Sequence, residues 1–182
     1  MHPLDLSVAS PAQRERAAAI LVDALAHARS AWPDLDSARA EVASFLDDPA
    51  RRAWLAVEGD DVLGWIGALR HSPHAWELHP LVVDPAHQRR GCGTLLVRTL
   101  EEHARRQGVV TVWLGTDDDF GGTNLYGADL YPDVLAHLAR LEPTSRGHPF
   151  TFYRRLGYTV VGVLPDTSGP GRHDIIMARR IG

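Results

Sequence analysis

The sequence predicts a mixed α/β fold, and three features of its 182 residues carry that prediction. Seven short runs show strand-like alternation, helical periodicities fall between them, and a glycine-rich turn joins one strand directly to a helix. With 45% hydrophobic and 23% charged residues, the chain suffices for one compact domain, residues 1–182, burying roughly 70% of its unfolded surface. No repeat, low-complexity tract or linker divides it.

Leu4, Leu6 and Val8 alternate with polar neighbours as in a short strand. Ser10-Pro11 then supplies an N-cap and a first helical residue, and Ala18, Leu21, Val22 and Leu25 recur at helical spacing toward Trp32-Pro33. Asp36-Ser37 is positioned to cap a second helix that runs to Leu46 and stops at Asp47-Asp48-Pro49. Ala53-Leu55-Val57 and Val62-Gly64-Ile66 flank Glu58-Gly59-Asp60-Asp61, which reads as an antiparallel hairpin. A third strand covers 76–83 and ends at Asp84-Pro85.

Beyond the glycine turn, Leu96, Leu100 and Ala104 lie on one helical face, and Glu101 and Glu102 stand four residues before Arg105 and Arg106 until Gly108 closes the helix. Residues 109–114 form the next strand. The stretch from Gly115 to Gly127 is polar and glycine-rich and reads as a loop. Helices over about 132–141 and 149–156 follow, with Gly157 leading to strands at 158–164 and 174–178.

Composition narrows the function. The formal charge is −4, with 23 acids against 19 bases, all of them arginine, which argues against a nucleic-acid partner. The single cysteine, Cys92, excludes an internal disulfide and a cysteine-based zinc cluster. Met1-His2-Pro3-Leu4-Asp5 lacks the pattern of a secretion signal, and no stretch approaches ~20 apolar residues. A cytoplasmic protein without a membrane partner is expected. His71, His74 and His79 lack the spacing of a zinc motif such as His-Glu-x-x-His, so no metal is expected.

The turn Gln88-Arg89-Arg90-Gly91-Cys92-Gly93 carries the main chemical signal. Gly91 and Gly93 let backbone approach a ligand, and Thr94 opens a helix whose first amides have no intrahelical partner. Such an end binds a pyrophosphate, with Arg89 and Arg90 adding charge-assisted contacts. A plain helix-entry turn with solvated arginines is the alternative. The dinucleotide fingerprint needs a third glycine where Leu96 stands, and the Gly-Lys-Ser/Thr of a P-loop is absent.

The remaining pattern, Gln/Arg-x-x-Gly-x-Gly between strand and helix, resembles the pyrophosphate loop of the GNAT acyl-coenzyme A transferase superfamily. Phe152-Tyr153-Arg154-Arg155-Leu156-Gly157-Tyr158 resembles its second signature. A wider resemblance runs through Trp32-Pro33, Gly64-Trp65-Ile66-Gly67, Trp76-Glu77-Leu78-His79-Pro80-Leu81-Val82-Val83, Leu114-Gly115-Thr116-Asp117-Asp118, His148-Pro149-Phe150 and Val161-Gly162-Val163-Leu164-Pro165. These stretches are similar to the chromosomal bacterial type of aminoglycoside 6'-N-acetyltransferase. The Phe120-Gly121-Gly122 loop departs from that pattern and leaves substrate range open.

The resemblance implies a GNAT fold: a central, mostly antiparallel sheet of about seven strands, helices on both faces, split near Val83 and Leu114 where coenzyme inserts. It implies acetyl-CoA as cosubstrate, no metal, a polycationic amine acceptor and a homodimer. Acetyl transfer through a ternary complex needs a neutral amine, a donor for the oxyanion of the tetrahedral intermediate and an acid for the departing thiolate. By resemblance Glu77 is the general base, His79 and Leu81 present backbone amides to the thioester carbonyl, and Tyr153 is the acid. Pro80 fits an irregularity there, because proline breaks a strand ladder. Coenzyme is assigned to Leu81, Val82, Val83, Gln88, Arg89, Arg90, Gly91, Cys92, Gly93, Thr94 and Tyr153.

Asp117, Asp118, Asp119, Asp129 and Asp133 concentrate negative charge, which attracts a cationic acceptor. Asp117 and Asp118 are the expected substrate ligands beside Glu77, with Trp32 as a wall or as a hydrophobic staple. Cys92 reads as a small filler. The competing functions are a GNAT enzyme for a peptide, polyamine or metabolite amine, and a non-catalytic acyl-CoA sensor.

Overall fold

The computed structural model describes residues 1–26 and 32–182. The described residues form two compact units, Met1–Val112 with Ile181–Gly182, and Trp113–Arg180.

The first unit opens on β1 (His2–Asp5), after which Leu6–Val8 turn as a single 3₁₀ segment. The alternation of Leu4, Leu6 and Val8 predicts strand throughout, but Asp5 accepts hydrogen bonds from the N–H and hydroxyl of Ser7 at 2.9 and 2.7 Å and ends it. Helix α1 (Pro11–Ala24) has the expected cap, completed reciprocally by Gln13 into a capping box. The expected continuation over 27–31 lies outside the described residues. Helix α2 (Leu35–Asp47) is capped by Asp34 rather than Asp36, because Asp34 accepts from the Ser37 N–H at 2.8 Å.

Strands β2 (Arg51–Glu58), β3 (Asp61–Arg70) and β4 (Ala75–Val83) continue in the order β1-β2-β3-β4, with antiparallel pairing throughout. Gly59 takes a φ of +62° in the hairpin turn, which glycine adopts freely. Helix α3 (Cys92–Arg106) follows. Ala53, Leu55 and Val57 point into a cluster with Ile20, Leu21, Val42 and Phe45 of α1 and α2. The alternate residue, Trp54, meets the ring of His103 on α3 at 5.0 Å. Helices therefore cover both faces of these strands, as period-two alternation requires when both faces are apolar.

Along α3, Glu102 pairs with both Arg105 and Arg106, whereas Glu101 turns back to Arg98 at 2.8 Å with its side chain 2% exposed. The expected pairing of Glu101 with Arg105 is thus replaced, because Glu101 lies on the buried side of the helix and Glu102 does not.

The second unit contains β5 (Thr111–Asp117), which starts in the first unit, then α4 (Val134–Ala139), α5 (Phe150–Arg155), β6 (Thr159–Leu164) and β7 (Asp174–Arg180), in the strand order β5-β7-β6. β6 and β7 pair antiparallel. Its core gathers Leu125, Leu130 and Val163 against Val134, Leu138 and Leu141. Seven strands and five α-helices are present among the described residues, so the mixed α/β class is as expected. No described helix is long and apolar enough to cross a membrane.

Candidate active site

The site builds from β4. Ile66 pairs with Leu81 and Ala68 with Leu78, so a single residue of β3, Gly67, opposes both His79 and Pro80. Two residues against one is a β-bulge, and the His79-Pro80 peptide within it is cis. The irregularity expected from Pro80 is therefore present. It re-aims the backbone of His79 and the residues after it.

Side chains on one face of β4 assemble a polar group. Glu77 pairs with Leu69, and directly opposed residues of an antiparallel pair project to the same face. Leu69 packs on the α1–α2 cluster, so Glu77 projects to that face as well. His71 Nε2 lies 2.6 Å from Glu77 Oε2. The Trp32 ring, packed on the same cluster, stands 5.7 Å from the His79 ring. Four residues named from sequence thus form two pairs on this face, His71 with Glu77 and Trp32 with His79, His71 being considered there only as a metal ligand. No group of three His, Cys, Asp or Glu residues with metal-binding geometry occurs among the described residues.

After β4, Asp84 caps the 3₁₀ turn Pro85–His87 by accepting from the Ala86 N–H at 2.9 Å. Asp84 is also ion-paired with Arg16 of α1. Burial favours its neutral form, but the Ala86 N–H and the Arg16 guanidinium outweigh this and hold its carboxyl below the usual value. Arg16 lies 68 residues away along the chain, and no local pattern in the sequence reveals it.

Arg89 (φ +60°) and Gly91 (φ +87°) both take left-handed conformations, a backbone arrangement that turns successive N–H groups toward a common centre. Helix α3 starts at Cys92, two residues earlier than expected, with Gly91 as its N-cap and no side chain bonded to the first amides. Beyond its chain neighbours, nothing lies within 4 Å of where a Gly91 Cβ would be. Uncapped amides, open space and the flanking Arg89 and Arg90 fit a diphosphate. The Gln88 side-chain amide is instead directed to the Val83 carbonyl at 3.4 Å, and Arg90 pairs with Glu58 at 3.5 Å. Cys92 is buried and packs close to Gly64, where an added Cβ would fall 3.2 Å from Sγ. Burial pushes its thiol up to about 11, which suits a filler and not a nucleophile.

In the second unit, the expected substrate ligands diverge. Asp118 is 1% exposed and accepts hydrogen bonds from the Gly122 N–H (2.7 Å), the Thr123 N–H (2.8 Å) and the Thr123 hydroxyl (2.7 Å). Its carboxylate is used up in folding the 118–123 loop, which corrects the expectation that it meets substrate. Asp119 is ion-paired with Arg172. Asp117 is exposed and accepts from the Ser168 hydroxyl at 2.7 Å, leaving its negative charge uncancelled by that neutral donor. Asp129 and Asp133 also remain exposed, each accepting one backbone N–H.

Tyr153 on α5 is 7% exposed and packs edge-on between Phe152 and Tyr158, with ring centroids at 5.1 and 5.8 Å. Burial raises its pKa, so the phenol stays protonated and able to donate at neutral pH.

The sequence profile of the Acetyltransferase (GNAT) family matches residues 21–128. Over the whole chain, the structure is similar to an aminoglycoside 6'-N-acetyltransferase solved in complex with coenzyme A, with 36% identity, a TM-score of 0.88 and 98% of that chain covered. An aminoglycoside 6'-N-acetyltransferase from Enterococcus faecium is similar at 36% identity and a TM-score of 0.86, again covering 100% of this chain and 98% of that one. N-acetyltransferase 8B of Rattus norvegicus is 35% identical over 89 residues, which span 46% of this chain and 40% of the rat protein.

Proposed function

The chain belongs to the GNAT acetyltransferase family and is an acetyl-CoA-dependent N-acetyltransferase, and from that premise we propose that its acceptor is the 6'-amine of a cationic aminoglycoside. The observation that carries this reading is full-length likeness at 36% identity to two enzymes of that specificity. The exposed carboxylates of Asp117, Asp129 and Asp133 support it, since uncancelled negative charge raises the encounter rate of a polycation.

In this proposal the bound cosubstrate supplies an activated acetyl group as a thioester. The main-chain N–H groups of Arg89, Gly91 and the first turn of α3 hold its diphosphate, helped by the guanidinium of Arg89. Arg90 exchanges its pairing with Glu58 for the same anion. Leu81, Val82 and Val83 offer backbone to the pantetheine arm, while Gln88 supports the turn through the Val83 carbonyl. Glu77 removes the proton from the acceptor's ammonium, so that nitrogen can attack with a lone pair. The amides of His79 and Leu81 stabilise negative charge on the carbonyl oxygen; as the C–S bond breaks, Tyr153 delivers a proton to the departing sulfur and regains one from the proton that the attacking nitrogen sheds. Acceptor charge is stabilised by Asp117, while Asp118 shapes the loop beside it. Trp32 forms the wall behind His79.

A homodimer in the cytoplasm completes the reading. The exposed apolar residues Val161 and Leu164 on β6, at 57% and 51%, support self-association of this surface. Sedimentation velocity tests it, with a species of twice the chain mass expected.

The decisive assay follows thiol release from acetyl-CoA with two aminoglycosides that differ only in a 6'-amine or a 6'-hydroxyl. Turnover of the amine alone is expected. Equal turnover of both, or faster turnover of a peptide amine, overturns the acceptor assignment; tight coenzyme binding with no turnover of any amine points to a sensor.

A further inference from the structure

The contact between His71 and Glu77 reaches beyond the roles assigned so far. We infer that His71 is a positioning residue for the base, fixing the Glu77 carboxylate by donating Nε2–H to Oε2. This rests on Glu77 being the base, as proposed above.

A glutamate on a strand is anchored only at its backbone, and three torsions separate Cα from the carboxylate. A general base works within hydrogen-bond reach of the proton it removes, so this freedom lowers the fraction of productive encounters. His71 lies in the turn between β3 and β4, six residues before Glu77, and its Nε2 stands 2.6 Å from Oε2. The opposed oxygen is a carboxylate's, which accepts only. Nε2 therefore carries the hydrogen, and one carboxylate oxygen is tied while the other keeps its lone pairs for the acceptor.

The type of donor matters as much as its place. A permanent guanidinium cation at this distance would orient the carboxylate but would also stabilise its charged form and weaken it as a base. Arg70, adjacent to His71, does not take this place on the α1–α2 face. Its guanidinium stands over the Trp76 ring at 5.5 Å, and Trp76 faces α3 through His103 at 5.9 Å. An imidazole that donates Nε2–H orients the carboxylate without the fixed positive charge of a guanidinium. The His71 side chain is 51% exposed and that of Glu77 18%, so the imidazole sits on the solvent side of the carboxylate.

The test combines steady-state kinetics of His71→Ala, His71→Gln and Glu77→Gln with long-range ¹H–¹⁵N spectra of the unmodified protein. His71→Ala should lower kcat roughly ten- to hundredfold with KM for acetyl-CoA unchanged. His71→Gln, whose amide nitrogen reaches similarly, should restore most of the loss. The spectra should show His71 protonated on Nε2 at neutral pH, a readout independent of turnover. Unaltered kcat in His71→Ala, no rescue by glutamine, or a His71 protonated only on Nδ1 overturns the inference. Full turnover by Glu77→Gln removes Glu77 as the base and the inference with it. Inactive Glu77→Gln beside fully active His71→Ala removes the inference alone.

Discussion

Gly67 lies so close to the His79 carbonyl that a Cβ on Gly67 would come within 2.3 Å of that oxygen and 2.4 Å of the Phe45 ring. The narrow point of β3 and the bulge of β4 are therefore complementary, and only a residue without a side chain fits between the bulge and α2. Neither neighbour is the loose end of a flexible chain, since one is backbone and the other a packed aromatic ring.

Gly67→Ala should accordingly cost about 1–3 kcal/mol through overpacking and reduce turnover, because relief of the clash moves the His79 backbone. Urea unfolding with an unchanged m-value checks the first effect and kcat the second. Wild-type stability and activity would show that the bulge is not held by this contact.

Arg16→Ala should weaken the hold on the turn that leads into the phosphate loop. The carboxyl of Asp84 titrates below its ordinary value of about 3.9, so its contribution to stability is present above that pH and disappears as pH falls through the depressed folded value. Without the guanidinium, two of the contributions that lower the folded value are lost and it rises. Acid unfolding should then begin at higher pH, with a loss of about 1 kcal/mol at neutral pH, a modest figure because the Arg16 side chain is 42% exposed. Circular dichroism across an acid titration checks it, and an unshifted midpoint contradicts it.

Asp117 and Asp118 are adjacent yet should respond differently. Asp118→Ala leaves three donors without their acceptor and should cost about 2–4 kcal/mol, seen in thermal or urea unfolding. Asp117→Ala should leave stability nearly unchanged and raise KM for a cationic acceptor about two- to fivefold, an effect that fades with added salt. The reverse pattern would restore Asp118 as the substrate ligand.

Tyr153→Phe preserves the ring packing against Phe152 and Tyr158 while deleting the hydroxyl. Loss of a general acid should lower kcat by roughly 10² to 10⁴ without shifting the melting temperature by more than a few degrees. Near-normal turnover would confine Tyr153 to packing.

Legibility from sequence follows how local each cause is. The Ser10-Pro11 helix start, the hairpin turn around Gly59 and the third strand are set by neighbours within a few residues; the first two stand where the sequence puts them and the strand, expected over 76–83, begins one residue earlier, at Ala75. Competition between nearby side chains shifts boundaries: Asp5 captures Ser7 and shortens β1, and Asp34 displaces Asp36 as a cap. The sequence marks Glu77, His79 and Trp32 as candidates, but it assigns Asp118 to substrate because a carboxylate in a polar loop carries no sign of how many loop amides will turn toward it. Arg16 and the pairing of His71 with Glu77 leave no local mark in the sequence for a related reason, since an ion pair across 68 residues and a bond across a turn depend on where the fold carries the backbone.

The amino-acid sequence by itself determined the order of strands and helices, the glycine turn that exposes main-chain amides, and the chemical types available for acetyl transfer, because each depends on short-range sterics and residue identity. The tertiary structure alone decided which carboxylates are committed to the fold and which remain available. Packing sets the desolvation and the number of donors around each carboxyl group, and both are properties of neighbours brought together from distant parts of the chain.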